Sequence, residues 1–400
     1  MSEWKTYRLE EVTNYVNRGV TPSYSDEGVI VINQKCIRDG KVTFEQSRFT
    51  NSEKKKIAEE KYLQSFDILI NSTGQGTLGR VGQTKQIEQP TTVDSHVTIV
   101  RANNNIHPIY LGYSLKSKQS LIESLAEGST GQTELSRYKV ADIEIQIPNL
   151  PTQKEIAQIL TSLDDKIELN LQMNQTLEDM AQAIFKEWFV NFNFPGFDGE
   201  LVDGLPKGWI MGKVSDVCKV NTNTLSSRDQ IETIQYIEIS EVQRGIVNNI
   251  SRYVRGEEPS RAKRKLVHGD VALSTVRPNR GSYFLALFPE EDLIASTGFA
   301  VFSAESVPYS FLYCFLTSES QIDFYGKMAD GAAYPAINQS VIMDMDLIIP
   351  SKDILKMYDD FAQTAYLRIH FNLKENQTLT QTRDTLLPKL MSGQLEVSEP

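Results

Sequence analysis

The chain is 400 residues long, 40% apolar and 23% charged, with a formal net charge of −11. That length exceeds what one hydrophobic core supports, so two domains of roughly 150 residues plus connecting segments are expected of a soluble globular chain. The opening "MSEWKTYRLEEV" has no basic stretch leading into an apolar run, and no run of about 18 uncharged apolar residues occurs, so no membrane partner is expected and the cytoplasm is the expected compartment. Taken in chain order, the strand-like segment "FDILINST" (Phe66 to Thr73) leads into "STGQGTLGRVG" with Gly74, Gly76 and Gly79 spaced as G-x-G-x-x-G. A dinucleotide site needs a helix next. Here Gly82, Pro90 and β-branched alternation follow, which reads as a hairpin, so Thr73, Gln75, Thr77 and Arg80 are expected to bring short polar groups to a phosphate or base edge instead. After "IQIPNLP", Thr152 and Glu155 form a T-x-x-E capping box. Beyond it Ile156, Leu160, Leu163, Ile167, Asn170, Asn174, Leu177, Ala181, Ile184 and Trp188 step by four and three as a heptad seam. No Gly or Pro intervenes before Pro195, which predicts one helix of about 40 residues, roughly 60 Å long.

The second half repeats the first. "NLQMNQTL" at Asn170 returns as "NLKENQTL" at Asn372, 202 residues later, and Pro148 meets Pro350 while Ile167 meets Ile369. "FDILINST" corresponds to "GDVALSTV" at Gly269, and the glycine loop to "RPNRG" with Pro278. The second seam runs through Tyr358, Ala362, Ala365, Ile369, Asn372, Asn376, Leu379, Arg383 and Leu386, with Pro388 and Gly393 expected to end it. A duplication of this kind predicts an α+β chain of two pseudo-symmetric α/β domains separated by two long antiparallel coiled-coil-like helices. Antiparallel pairing would set Asn170 and Asn174 against Asn372 and Asn376, where buried amides fix register. The expected boundaries are 1–150, 151–200, 201–350 and 351–400.

Chemistry is sparse along the chain. Cys36, Cys218 and Cys314 stand alone, without the pairing or nearby His that zinc needs, so no metal site is expected and burial as small apolar side chains is. The four His are scattered, and His96 in "VDSHVTIV" reads as a strand residue rather than a base. Without a "PP" dipeptide the N-P-P-aromatic signature of amino-group DNA methyltransferases is missing, and without a Walker loop so is a helicase motor. No catalytic residue is therefore assigned, and no cofactor is expected in this chain.

The acidic balance is unevenly spread. Residues 1–150 carry 18 Lys+Arg and 18 Asp+Glu, net 0, whereas residues 151–200 carry 3 against 9, net −6. Nucleic-acid binding by the globular halves thus stays open. Basic residues recur at comparable places in both: Lys35 and Arg38, with Lys54 to Lys56 nearby, in the first; Arg261, Lys263, Arg264, Lys265, Arg277 and Arg280, with the amide of Asn279 between the last two, in the second. With Gln132 and Arg137 these are candidates for DNA contact, because Arg and Lys neutralise phosphates while Arg, Asn and Gln also reach base edges.

The phrases "IQIPNLPTQKEIAQILTSLDDKIELNLQMNQTLEDMAQAIFKEWFVNF", "FPGFDGELVDGLPKGW", "DLIIPS" and "LLPKLMSGQLEV" resemble the specificity subunit of type I restriction-modification enzymes, across essentially the whole chain. The resemblance implies that residues 1–150 and 201–350 are target recognition domains, each reading one half of an interrupted asymmetric site in double-stranded DNA. It also implies that the helices set the unspecified spacer. Two modification subunits would bring S-adenosylmethionine and methylate adenine, and two restriction subunits would add ATP- and Mg-dependent translocation and cleavage. The alternative is an adaptor that joins two protein partners through the helices without reading DNA.

Overall fold

The computed structural model describes residues 4–128 and 133–397. The chain forms two compact units: one takes the chain up to Glu168 and resumes at Asn376, and the other is Leu169–Glu375. Each unit therefore holds one globular repeat together with part of both long helices. Among the described residues no helix is long and apolar enough to cross a membrane.

In the first unit a six-stranded sheet runs in the order Thr13–Arg18, Val97–Ala102, Ile68–Asn71, Val81–Gln83, Gly40–Val42, Ile37–Arg38. Ile68, Leu69 and Ile70 are all fully buried, a continuous apolar run that only a strand covered on both faces can use. This strand returns antiparallel through the glycine loop, with Leu69 opposite Gly82. The glycine loop itself is thus the hairpin connection, whereas the segment after it, expected to form a hairpin, does not pair with itself: Val81–Gln83 pairs back with Ile68–Ile70 and Thr91–Val93 joins another sheet. In the second unit the matching strands are Cys218–Val220, Phe299–Ala304, Asp270–Ser274 and Tyr283–Ala286. The duplication extends to side chains: Asp67 accepts from the Gln64 amide at 2.8 Å, and Asp270 from the Val267 amide at 2.8 Å, each carboxylate closing the turn that enters the central strand. Cys36, Cys218 and Cys314 are buried free thiols.

The helices are Leu150–Phe189 and Lys352–Met391, 40 residues each. Two of their ends differ from expectation. The Asn149 side chain, not Thr152, caps the first helix by accepting from the Thr152 amide at 2.9 Å, because Pro151 fits a first turn whose amides have no helical acceptors. Pro388 does not end the second helix, which continues to Met391: the proline removes one hydrogen bond near the terminus, while Leu387, Leu390 and Met391 are buried in the first unit's core.

Within each unit the two helix segments run antiparallel. In the second, Asn372 Nδ2 donates to Asn174 Oδ1 at 2.8 Å and the Tyr358 hydroxyl donates to the Ala181 carbonyl at 3.3 Å. In the first, Asn376 Nδ2 donates to the Ile167 carbonyl at 3.4 Å and Arg383 Nη1 to Asp164 Oδ1 at 2.6 Å. Asn170, Asn174, Asn372 and Asn376 are 0, 9, 1 and 8% exposed, so all four amides lie in the seam. Asn174 and Asn372 bond to each other as expected from the repeat, and Asn170 Nδ2 reaches Glu375 Oε2 at 2.8 Å. Arg383, an apparent weakness of the second seam, is neutralised by Asp164, which also accepts from the Tyr113 hydroxyl at 2.7 Å.

Two predictions follow from this seam. Asn174→Leu alone leaves a buried amide on Asn372 short of an acceptor and should cost about 1–3 kcal/mol, whereas Asn174→Leu with Asn372→Leu should recover that loss while letting the helices slip. Thermal melts read the first effect, and cross-linking of cysteine pairs placed one turn apart reads the second. Asp164 supplies the pH dependence. Burial acts to raise its pKa, but Lys116, Arg383 and the Tyr113 hydroxyl outweigh that and hold it below the usual carboxylate range. A depressed folded pKa contributes stability above the unfolded value of about 4 and loses it as the pH falls through the folded value. Asp164→Asn should therefore lower stability at pH 7 and flatten the acid limb of a melting-temperature profile.

Candidate nucleic-acid interface

In the second unit the end of strand Asp270–Ser274 opens onto a cleft of about 990 Å³. Arg261, Arg277 and Arg280 line it with Ser240, Gln243 and Tyr334, and no carboxylate is among its lining residues. Arg277 takes a left-handed backbone, φ 48°, at the start of the short turn Pro278–Arg280. That conformation costs a non-glycine residue roughly 1–2 kcal/mol, and the surroundings hold it. The Arg277 amide donates to the Pro335 carbonyl at 2.7 Å, its guanidinium donates to the Ala333 carbonyl at 2.8 Å, and the same guanidinium lies 4.3 Å from the centre of the Tyr334 ring. Tyr334 is 70% exposed. The cleft thus presents cationic forks and a stacking face, a donor set suited to phosphates and to the acceptor edges of bases.

The first repeat builds the same place from polar rather than cationic groups. Gly74 stands where Arg277 stands, also at positive φ, 104°, and a Cβ there would collide with the Thr77 hydroxyl and the Gln34 side chain. Gln34 Nε2 donates to Thr73 Oγ1 at 2.6 Å and to the Thr73 carbonyl at 2.7 Å, and the Thr73 hydroxyl lies 2.8 Å from His96 Nδ1. His96 sits in the turn before strand Val97–Ala102, not within the strand. Gln75 is exposed at the loop tip, and Arg80 Nη2 is turned back to the Gly76 carbonyl at 2.9 Å.

The other candidates are distributed as follows. Lys35 and Arg38 are exposed, and Arg38 and Arg80 share a separate concavity of the first unit, of about 550 Å³. Arg137 is exposed, donates to Asn17 Oδ1 at 2.8 Å and lies 4.9 Å from the centre of the Tyr138 ring. Lys263, Arg264 and Lys265 belong to strand Ala262–Lys265 and are half-buried; Lys265 Nζ is bound to Asp229 Oδ1 at 2.6 Å, and burial pulls the Arg264 pKa down. Asn279 is packed over Gly326 of helix Glu319–Met328. Gln132 lies outside the described residues.

Sequence reasoning missed Gln34, Ser240, Gln243 and Tyr334. The usable signal for Tyr334 is an aromatic residue alone in "DGAAYPA", between residues too small to bury it. Gln34 carries no local signal, since its partner is 39 residues away. Among the described residues no cluster of His, Cys, Asp and Glu could hold a metal ion.

The chain matches the family model for the type I restriction modification DNA specificity domain twice, over residues 1–179 and 206–386. It is 24% identical to the type I restriction enzyme HindI specificity subunit of Haemophilus influenzae, over 99% of this chain and 100% of that protein. It is 26% identical to the MjaIX specificity subunit of Methanocaldococcus jannaschii, over 80% of this chain and 76% of that one. Its fold is similar to the crystal structure of a type I restriction-modification system S subunit from M. genitalium, with a TM-score of 0.62 and 16% identity, over 99% of this chain and 97% of that chain. The arginine-lined cleft and its polar counterpart therefore sit in the two repeats of a chain that belongs to the type I restriction-modification DNA specificity family.

Proposed function

We propose that each repeat reads one half of an interrupted DNA site and that the two long helices set the gap between the halves and receive two modification subunits. The observation that carries this reading is one structural position, at the end of the central strand, filled differently in the two repeats: Gly74 with Thr73, Gln34 and His96 in the first, Arg277 with Arg261, Arg280 and Tyr334 in the second. Two readers with the same frame and different side chains suit an asymmetric target. Phosphates bind by charge and set position, whereas base edges are distinguished by the fork geometry of Arg and the amide of Gln. Half-sites some distance apart require the readers to be held at a fixed separation, and helices rising 1.5 Å per residue set such a length.

This chain contributes recognition. Modification subunits would bring S-adenosylmethionine and methylate adenine, and restriction subunits would use ATP and Mg to translocate and cleave. The acidic segment 151–200, net −6, suits protein partners better than DNA.

Two outcomes test the reading. Exchanging residues 1–150 for those of another family member should change one half of the methylated sequence and leave the other intact, as read by single-molecule sequencing of methylated adenines in cells carrying the modification partner. Arg277→Ala should weaken specific binding by about 1–3 kcal/mol and relax base preference in one half-site only. Retention independent of salt, or no DNA retention by the assembled complex, would instead favour an adaptor without direct readout.

A further inference from the structure

The two repeats differ at a second equivalent place, where a tight hairpin turn meets a long helix inside each unit. In the first unit the turn Asp39–Gly40 has both residues at positive φ, 55° and 76°, and Lys41 follows it. Lys41 Nζ donates to Glu168 Oε2 of the first long helix at 2.6 Å. Lys116 of helix Pro108–Ser117 lies over the same turn: a Cβ added to Gly40 would be 2.6 Å from its Cε. Two ammonium-bearing side chains thus occupy this space, and Asp164 and Glu168 supply the carboxylates.

In the second unit the matching turn is Arg244–Gly245, again with both residues at positive φ, 43° and 82°. Ile246 stands in place of Lys41 and Leu316 in place of Lys116, because "HPIYLGYSLK" aligns with "VPYSFLYCFL" and keeps Tyr113 against Tyr313. On the long helix Tyr366 and His370 stand 202 residues after Asp164 and Glu168. Both ammonium groups are gone. In their place is a cavity of about 120 Å³ whose lining includes Asn174, Glu178, Ile246, Tyr313, Tyr366 and His370. At ~10–15 Å³ for a water-sized occupant, it has room for a ligand of a few heavy atoms.

Two polar atoms lining this cavity are unmatched among the described residues. Asn174, nine-tenths buried, gives its carbonyl oxygen to Asn372, and its Nδ2 has no partner among the described residues; neither has His370 Nε2. Among the described residues no cation acts on half-buried Glu178: burial, opposed by a hydrogen bond from Gln182 and helped by Asp179, pushes its carboxyl up to about 7. Arg244, which also lines the cavity, is engaged by Glu319. A desolvated carboxylate lacking a counter-ion is costly, and a cation that brings its own donors relieves the cost.

We propose that this cavity binds a short aliphatic primary ammonium group, which takes the place that the ends of Lys41 and Lys116 occupy in the first repeat. The ammonium donates to Glu178 and to His370, and its alkyl chain lies along Ile246 and the tyrosine rings. A free small amine and a lysine side chain of another protein share this chemistry.

The full chain is titrated with n-butylammonium chloride and, separately, with n-butanol, and thermal stability and the Glu178 carboxyl resonance are followed. Butylammonium should raise the melting temperature saturably at pH 8 and less at pH 6, where Glu178 is protonated, while butanol should not. Tyr313 and Tyr366, whose pKa values burial holds above the ordinary range, stay neutral in that window; burial, with Lys374 and His268 nearby, lowers the pKa of His370, and any proton it loses between pH 6 and 8 acts in the same direction as Glu178, from which the Glu178→Gln variant separates it. Glu178→Gln should abolish the butylammonium effect and remove the loss of stability that the raised carboxyl pKa imposes as the pH rises from about 4.5 through about 7. Ile246→Lys, which restores the first repeat's tethered ammonium, should raise the melting temperature by about 2–4 °C and abolish butylammonium binding. If assembly with the modification subunit displaces butylammonium, the natural occupant is a lysine side chain; if binding survives assembly, it is a free amine. Equal effects of butylammonium and butanol, or unchanged binding in Glu178→Gln, would overturn the proposal. The titrations of the chain alone do not depend on DNA reading, so their failure leaves the proposed function standing.

Discussion

A carboxamide pair set inside an apolar helix seam is the constraint on which the rest of the structure depends. Asn174 and Asn372 bond to each other at 2.8 Å between helices whose other seam positions, apart from Asn170, Asn376 and Arg383, are Leu, Ile, Ala and aromatic residues. Apolar contacts tolerate a slide of one turn, since one leucine replaces another at little cost. Amides do not, because a slide leaves a buried donor and acceptor unmatched at about 1–3 kcal/mol. The same logic operates in the first unit, where Asn376 is held by the Ile167 carbonyl and Arg383 by Asp164. Fixed register in turn fixes which part of each helix lies against each globular repeat. Phe185, Phe189 and Tyr358 enter the core of the second unit, and Ile156, Leu160 and Leu387 that of the first.

With the frame set, the repeats are free to differ at their loops. Both retain the buried aspartate that closes the turn before the central strand, and both keep a left-handed residue just after it, yet that residue is glycine in one and arginine in the other. The scaffold positions bear the burial and the ladder hydrogen bonds, so they accept little change. Residues at strand ends project into solvent-filled clefts and answer to whatever is bound there. A shared frame with divergent strand-end residues suits the proposed reading of two different half-sites in the same way.

Much of this was legible in the sequence. The heptad seam announced both helices because period and length agree over about 40 residues, and the octapeptide repeat marked the amides that bond across the pair. Helix ends were less legible: Asn149 outcompetes Thr152 as a cap because Pro151 takes the first turn, and Pro388 is overridden by the burial of Leu387, Leu390 and Met391. Least legible were the cleft residues. Arg277 was visible as a basic side chain, but its role comes from Ala333, Tyr334 and Pro335, more than 50 residues downstream. Thr73 was visible, whereas Gln34 and His96, which orient it, approach from two other connections. Clusters made by long-range pairing have no periodic signature. Lys263, Arg264 and Lys265 show the converse: a dense basic run in the sequence lies along a half-buried strand, with Lys265 held by Asp229.

Sequence readout by the repeats and spacing by the helices are the two tasks proposed for this chain. The most direct measurement inserts one heptad into both long helices at their paired asparagines and maps the methylated adenines in cells supplying the modification partner. At 1.5 Å per residue and 3.4 Å per base pair, the gap should lengthen by ~3 base pairs with both half-sequences unchanged. An unchanged gap, or altered bases in either half, would contradict that proposal.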